Sequence, residues 1–144
     1  MKLEEIHDMW TQDCEINRIE LGEEALKIPK LHSKYLRMFS EERMVLRKLL
    51  EDRGALRLLK TDYYRGVLPE EDLRANGWEP FRLSVLKSDL PTYLDADKDV
   101  VRINLKISVQ QEKVDTLEAI IKSISNRGFL IKSAIDFEKF KVGG

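Results

Sequence analysis

The stretch Val100–Ile124, VVRINLKISVQQEKVDTLEAIIKSI, decides the fold class. A seam of positions separated by alternating steps of three and four residues runs through it, and seven of the eight members are apolar. A period of 3.5 residues is typical of a helix that keeps one side against another helix. The members of this seam are Val100, Ile103, Ile107, Gln110, Val114, Leu117, Ile121 and Ile124.

Part of the same stretch allows a second interpretation. Apolar residues alternate with polar ones from Val101 to Val109, which alone would indicate a strand. Because no second strand is evident for it to pair with, we predict a helix, ended by Asn126-Arg127-Gly128. A last amphipathic helix is expected after it. The residues predicted near the inner face of that helix are Ile131, Ala134, Ile135 and Phe137.

Another seam of the same period covers residues 30–65, and eight of its ten members are apolar. Pro29 suits the first turn of a helix, and Gly66 suits its C-terminal end. Ser40 could cap a second helix, so the segment can be either one helix or two. The polar members Glu42 and Asp52 either pair and set the register or mark where the seam opens to water. The members are Leu31, Tyr35, Met38, Glu42, Val45, Leu49, Asp52, Leu56, Leu59 and Tyr63.

The remaining segments are shorter. Residues 3–14 predict a short amphipathic helix, and residues 66–81 an irregular connection with one helical turn near Pro69. We predict a single all-α domain of long amphipathic helices over residues 1–144. Its parts are an N-terminal helical part (1–66), an acidic connection (67–96) and C-terminal oligomerisation helices (97–144). Two long seams carry more apolar surface than one monomer covers, so we expect self-association.

The charge of the chain is balanced overall but segregated along it. Lys and Arg total 25 and Asp and Glu 26, which excludes a protein that is cationic over its whole surface. By segment, however, the net charge is −6 over residues 1–26, +6 over 27–66, −4 over 67–99 and +3 over 100–144. The chain can therefore present a local cationic field without a basic pI.

Several classes of protein are disfavoured by what the sequence lacks. The single cysteine, Cys14, excludes an intramolecular disulfide and a cysteine-based zinc site. No apolar run approaches ~18 residues and the start lacks signal-peptide features, so we expect a soluble intracellular protein without membrane contact. We find no phosphate-binding glycine loop, His-Glu-x-x-His or supported Cys–His pairing. We therefore predict no enzyme, no cofactor and no metal.

The strongest local constellation lies at the end of the second seam. Arg53, Arg57, Lys60 and Tyr64 follow one another at steps of four, three and four residues, which places them within roughly 60° on one helix face. We call these four, with Tyr63 and Arg65, the basic-aromatic stripe. Cations that follow a backbone, with rings on which bases stack, are what sequence-tolerant single-strand binding needs. The alternative is a structural face that pairs with the acidic residues 1–26, with Tyr63 in the core seam.

Several blocks of the sequence resemble the UvsY family, the recombination mediator proteins of T-even-like bacteriophages. They keep the family's order and approximate spacing across nearly the whole chain. The blocks are Met1-Lys2-Leu3-Glu4, Thr61-Asp62-Tyr63-Tyr64-Arg65-Gly66, Leu94-Asp95-Ala96-Asp97-Lys98-Asp99-Val100, Ile121-Lys122, Asn126-Arg127-Gly128-Phe129 and Ile131-Lys132.

The resemblance implies a helical protein that forms a ring-like or barrel-like homo-oligomer in the cytoplasm of an infected host cell. It further implies binding of single-stranded DNA, displacement of the phage single-stranded-DNA-binding protein and loading of a RecA-like phage recombinase. The family has a Lys-x-Arg pair before Asp-Tyr-Tyr. Here Lys60 matches the Arg, Leu58 replaces the Lys, and Arg57 is the candidate substitute. The alternative function is a coiled-coil oligomeric adaptor whose basic face docks an acidic protein.

Overall fold

The computed structural model describes residues 1–143, and these residues are helical throughout their regular elements, with no strand. The all-α prediction is therefore confirmed. The elements are α1 (Leu3–Asp13), α2 (Leu21–Leu26), α3 (Ile28–Tyr64), α4 (Glu70–Asn76), a 3-10 turn (Lys87–Asp89), α5 (Leu90–Ala96), α6 (Lys98–Ser125) and α7 (Arg127–Lys141).

The long C-terminal stretch is a helix, α6, and the strand interpretation of residues 101–109 is wrong. The helix ends one residue before Asn126, close to the predicted stop. The predicted seam is its inner side: Ile103 and Ile121 are half-buried and the other six members are buried. The 3.5-residue period, not the local alternation, therefore reports which side of this segment is packed.

Residues 28–64 form one continuous helix, α3, which decides between the one-helix and two-helix alternatives. Ser40 lies inside it, and Pro29 occupies its first turn, where the missing N–H costs little. Its end is a Schellman motif at Gly66, whose φ of 72° is left-handed. The Val67 N–H donates to the Asp62 carbonyl at 3.1 Å and the Gly66 N–H to that of Tyr63 at 3.0 Å.

The buried side of α3 does not stay on the predicted seam. Tyr35 is buried as predicted, but Val45 and Asp52 are exposed and their neighbours Leu46 and Arg53 lie inside instead. An unsupercoiled α-helix drifts by ~20° per heptad relative to a strict 3.5-residue repeat. The displacement at Leu46 and Arg53 has the direction of this drift, while Leu49, Leu56 and Leu59 of the predicted seam stay half-buried.

Two compact units are present, and both long helices contribute residues to each: one is Leu46–Ser108 and the other is formed by the chain on either side of it. The core of the latter is built around Tyr35, which is fully buried. Trp10 packs edge-on against Tyr35 with ring centroids 5.4 Å apart, and the Tyr35 hydroxyl donates to Asp13 Oδ2 at 2.8 Å. The buried residues of this core are Ile6, Tyr35, Leu117, Ile120 and Ile124.

The polar residues of the two seams meet in this same unit. Gln110 Nε2 donates to Glu42 Oε2 at 2.7 Å and to the Glu42 carbonyl at 2.8 Å. The N-terminal ammonium group lies 3.5 Å from Glu42 Oε1. Because each apolar seam carries one of these polar residues at the same level, the pair specifies a register between the helices.

A buried arginine joins the start and the end of the chain in this unit. Arg127, at the start of α7, donates to the carbonyls of Cys14 at 3.2 Å and Glu15 at 2.9 Å. Its guanidinium also lies 3.4 Å from Glu24 Oε2, and both side chains are buried. The loop after α1 is thus held by the first residue of α7.

The last helix, α7, packs by Ile131, with Ala134 and Ile135 half-buried as predicted. The prediction for Phe137 is wrong, because its side chain is 58% exposed. Phe137 follows Ile135 by two residues, or ~200° around the helix, and so points away from the packed side. It joins an exposed apolar surface that we call the α7 face, made of Phe129, Leu130, Phe137 and Phe140.

The connection between the long helices is only partly irregular. The predicted helical turn near Pro69 is confirmed as α4, and Pro91 lies in the first turn of α5. Among the helices of residues 1–143, none is long and apolar enough to cross a membrane. The division into the consecutive parts 1–66, 67–96 and 97–144 stays a prediction.

Candidate nucleic-acid interface

The basic-aromatic stripe lies in the unit Leu46–Ser108, and much of it faces inward. Because the buried side of α3 shifts by one position, it passes through Leu46, Arg53 and Lys60. Lys60 is only 5% exposed. A helix face that looks like a solvated cationic surface in the sequence therefore supplies part of the interior of this unit.

Lys60 is held by two carboxylates at the start of α6. Its Nζ lies 3.1 Å from Asp97 Oδ2 and 2.9 Å from Asp99 Oδ2. Tyr64 donates its hydroxyl hydrogen to the same Asp97 oxygen at 2.6 Å. Within residues 1–143, no buried side-chain nitrogen or oxygen lacks a hydrogen-bond partner, so the buried charges are compensated.

Asp97 also caps α6. Its Oδ1 accepts from the backbone N–H groups of Asp99 at 2.9 Å and Val100 at 3.1 Å, the pattern of an N-cap aspartate. Burial alone would raise the pKa of Asp97. Hydrogen bonds from Tyr64, from the Val100 N–H and from Lys60 outweigh burial and leave this pKa below its usual value. The carboxylate is therefore charged at neutral pH and binds Lys60 as an anion.

Aromatic rings surround the end of α3. Lys60 Nζ lies 3.8 Å from the centroid of the Trp78 ring, a close cation–π contact. Tyr63 packs edge-on against Trp78 at 5.4 Å, and Tyr64 packs against Phe81 at 4.9 Å. Tyr63 donates its hydroxyl hydrogen to the Glu79 carbonyl at 2.7 Å. The two tyrosines of the stripe thus belong to a packed aromatic cluster.

The three arginines of the stripe are more accessible. Arg53 is half-buried and donates to Asn104 Oδ1 at 3.4 Å. Arg57 lies 3.6 Å from Asp95 and keeps 39% of its side chain exposed. Arg65 is exposed, and within residues 1–143 it has no ion-pair partner. Arg65 can therefore meet a phosphate without giving up a partner, whereas Arg53 and Arg57 would exchange Asn104 and Asp95 for it.

The acids that pair with the stripe are not those predicted by the structural alternative. Asp95, Asp97 and Asp99 engage Arg57 and Lys60, whereas residues 1–26 supply none of these partners. Asp97 was missed, although an aspartate directly before a long apolar-periodic segment is an N-cap signal. Trp78 was missed because nothing local links it to Lys60. No grouping of His, Cys, Asp and Glu in the described part of the chain could hold a metal ion.

Comparison with known proteins is consistent over nearly the full length. Residues 9–144 match the family model described as recombination, repair and ssDNA binding protein UvsY. The recombination protein UvsY of Enterobacteria phage T4 is 26% identical over 143 residues, covering 99% of both chains.

Solved structures of the bacteriophage T4 recombination mediator protein UvsY match as well. The crystal structure in lattice type II has a TM-score of 0.85 at 26% identity, covering 99% of this chain and 98% of that one. The structure in lattice type I has a TM-score of 0.81 at 25% identity, covering 95% and 98%.

Proposed function

The chain belongs to the UvsY family of recombination, repair and single-stranded-DNA-binding proteins, and we propose that it is a recombination mediator. In this role it binds single-stranded DNA and promotes loading of a RecA-like recombinase in place of the phage single-stranded-DNA-binding protein, in the cytoplasm of an infected host cell. The role needs positioning of DNA and proteins and no catalytic group. The family match over residues 9–144 is the observation that carries the proposal.

We assign DNA contact to the basic-aromatic stripe in two layers. Arg57 and Arg65 bind phosphates, since Arg57 keeps 39% of its side chain exposed and Arg65 is exposed, and the half-buried Arg53 joins them. Lys60, Tyr63 and Tyr64 hold the end of α3 in place, since Lys60 and Tyr64 are tied to Asp97. Arg57 substitutes for the family lysine, because Leu58, 68% exposed, offers no charge.

The mediator is proposed to act as a ring-like or barrel-like homo-oligomer. The α7 face supports this, because Phe129, Phe137 and Phe140 are all more than half exposed on one side of the helix, and exposed apolar patches mark interaction surfaces. Repeating a modest cationic surface around an assembly raises affinity through effective concentration without any new contact.

A titration of labelled oligo(dT) at several salt concentrations tests DNA binding. The double variant Arg57→Ala/Arg65→Ala is expected to bind more weakly. Its affinity should also depend less steeply on salt concentration, by an amount that corresponds to about two phosphate contacts per chain. Arg74→Ala is the matched control, since Arg74 is exposed and its ion-pair partner among residues 1–143 is Glu70 on its own helix. Unchanged affinity in the double variant would contradict the assignment of the arginines.

Mediator activity is tested by the DNA-dependent ATPase of the recombinase on strands coated with single-stranded-DNA-binding protein. Adding the chain should shorten the lag before hydrolysis begins. Self-association without DNA affinity would instead support the adaptor function, in which the exposed arginines dock an acidic protein.

A further inference from the structure

A cleft of about 510 Å³ lies in the unit Leu46–Ser108, within the ordinary range for ligand sites. The end of α3, the residues after α4 and the start of α6 border it. We call it the Trp78 cleft. Its lining includes Lys60, Tyr63, Trp78, Lys98, Asp99 and Arg102.

The indole of Trp78 is a fixed, partly exposed platform in this cleft. Gly77 adopts a left-handed φ of 68°, and the Trp78 N–H donates to the Leu73 carbonyl at 2.9 Å, which completes a Schellman motif at the end of α4. Lys60 and Tyr63 then hold the ring from the side of α3. An aromatic ring whose orientation is set in advance can stack on a base with little loss of side-chain entropy.

The inner wall of the cleft is unsuited to an anion. The single charge of Lys60 is already compensated by Asp97 and Asp99, which lie 3.1 and 2.9 Å from its Nζ. A phosphate placed there would meet carboxylates. A flat, uncharged group such as a base fits better, because it stacks on the indole and can offer a ring N–H to the carboxylate oxygens.

The rim of the cleft is suited to an anion, because it carries exposed positive charges. Lys98 and Arg102 line it, and Lys106 continues the same exposed side of α6 at the next four-residue step. Successive members of this row are about 6 Å apart along the helix axis, a spacing comparable with that of neighbouring phosphates in an extended strand. Among residues 1–143, Lys98 and Lys106 have no ion-pair partner, and Arg102 is 68% exposed beside Asp99.

An aromatic interior whose charges compensate one another, beside a rim that carries Lys98 and Arg102, matches one nucleotide of a single strand. We propose that the Trp78 cleft takes one base of single-stranded DNA, stacked on the indole, while Lys98 and Arg102 bind the flanking phosphates. This inference rests on the proposed function and extends it, since none of Trp78, Lys98 and Arg102 belongs to the basic-aromatic stripe. It also puts direct base contact on residues that follow α4 and begin α6.

The test uses the fluorescence of Trp78. The chain has two tryptophans, so a Trp10→Phe variant leaves Trp78 as the sole reporter and keeps an aromatic ring against Tyr35. Titration with oligo(dT) is expected to change the Trp78 emission. An abasic deoxyribose-phosphate oligomer of equal length and charge should bind more weakly and leave the emission unchanged.

Two variants in the wild-type background complete the test. Trp78→Ala should lower oligo(dT) affinity roughly five- to hundred-fold and leave abasic affinity unchanged, whereas Trp78→Phe should retain most of the affinity. Arg102→Ala should reduce the salt slope by about one for both ligands. If Trp78→Ala unfolds, the emission titration and the comparison of oligo(dT) with the abasic oligomer still decide the matter.

The outcomes separate the two proposals. Absence of oligo(dT) binding by the wild-type chain would overturn DNA binding and this site together. Tight oligo(dT) binding with unchanged Trp78 emission, or equal affinity for the abasic oligomer, would overturn the site alone.

Discussion

Lys60 Nζ lies 3.1 Å from Asp97 Oδ2, and the two side chains are only 6% and 5% exposed. Breaking a buried ion pair is destabilising, because the remaining charge has no solvent to compensate it. Here Asp99 Oδ2, 2.9 Å from the same Nζ, remains as a second partner of Lys60. Asp97 additionally caps α6, so its loss removes two kinds of contact. The pair is thus a structural anchor of the unit Leu46–Ser108.

Asp97→Ala should lower the free energy of unfolding by about 1–3 kcal/mol, because it removes the Tyr64 hydrogen bond and the N-cap of α6 while Asp99 still compensates Lys60. Asp95→Ala is the matched control: its side chain is 73% exposed, and its pair with Arg57 should contribute less than about 1 kcal/mol. Urea unfolding followed by circular dichroism measures both. Equal losses of stability in the two variants would show that the buried Asp97 contributes no more to the fold than the exposed Asp95.

Acid should weaken the fold through the same carboxylate. The pKa of Asp97 is lowered in the folded chain from its usual value of 3.8, so the unfolded chain binds the proton more tightly. The stabilisation is therefore complete above about pH 5 and is lost as the pH falls through the lowered pKa. Urea unfolding at pH 7 and pH 3 should show a smaller loss in Asp97→Asn than in the wild type. Asp13 and Glu24 also have lowered pKa values, so they destabilise the wild type and Asp97→Asn alike as the pH falls.

Two glycines should respond oppositely to alanine. Gly77 has a φ of 68°, so Gly77→Ala should cost about 1–2 kcal/mol and displace Trp78. Gly54 lies inside α3 with nothing within 4 Å of an added Cβ, so Gly54→Ala should gain about 1 kcal/mol. Thermal unfolding distinguishes the signs. A stabilising Gly77→Ala would be incompatible with the left-handed geometry.

The α7 face should govern self-association. Phe137→Ser/Phe140→Ser is expected to lower the molar mass in solution, because both side chains are exposed apolar groups whose burial between copies would be lost. The helical content should remain unchanged. Leu26→Ser, which alters an equally exposed apolar residue outside α7, serves as the control. Light scattering measures the molar mass. An unchanged molar mass would show that the α7 face does not form the interface between copies.

Helices were predictable from the sequence because their signals are local. The 3.5-residue period of Val100–Ile124, the first-turn Pro29 and the stop at Gly66 each depend on neighbouring residues, and each is confirmed. The inner side of α3 was not predictable by the same route. A drift of ~20° per heptad accumulates slowly, and only the packed helix shows where Leu46 replaces Val45.

The candidate site was less accessible to sequence reasoning. The stripe itself was visible, but its partners lie at residues 78 and 95–99, and no periodicity links them to Lys60. A cation at a suitable helical position has the same appearance in a sequence whether it meets a phosphate or an aspartate. The distinction depends on a contact between segments that are more than thirty residues apart.

The contact of Arg127 with Cys14, Glu15 and Glu24 has a consequence for synthesis. Its compact unit combines the beginning of the chain with residues after Ser108, so the first 45 residues lack their native partners from α6 and α7 while the ribosome makes the intervening segment. At about 5–20 residues per second this interval lasts several seconds. During this interval the apolar side of α1, including Ile6, lacks the Leu117, Ile120 and Ile124 side chains that complete its core.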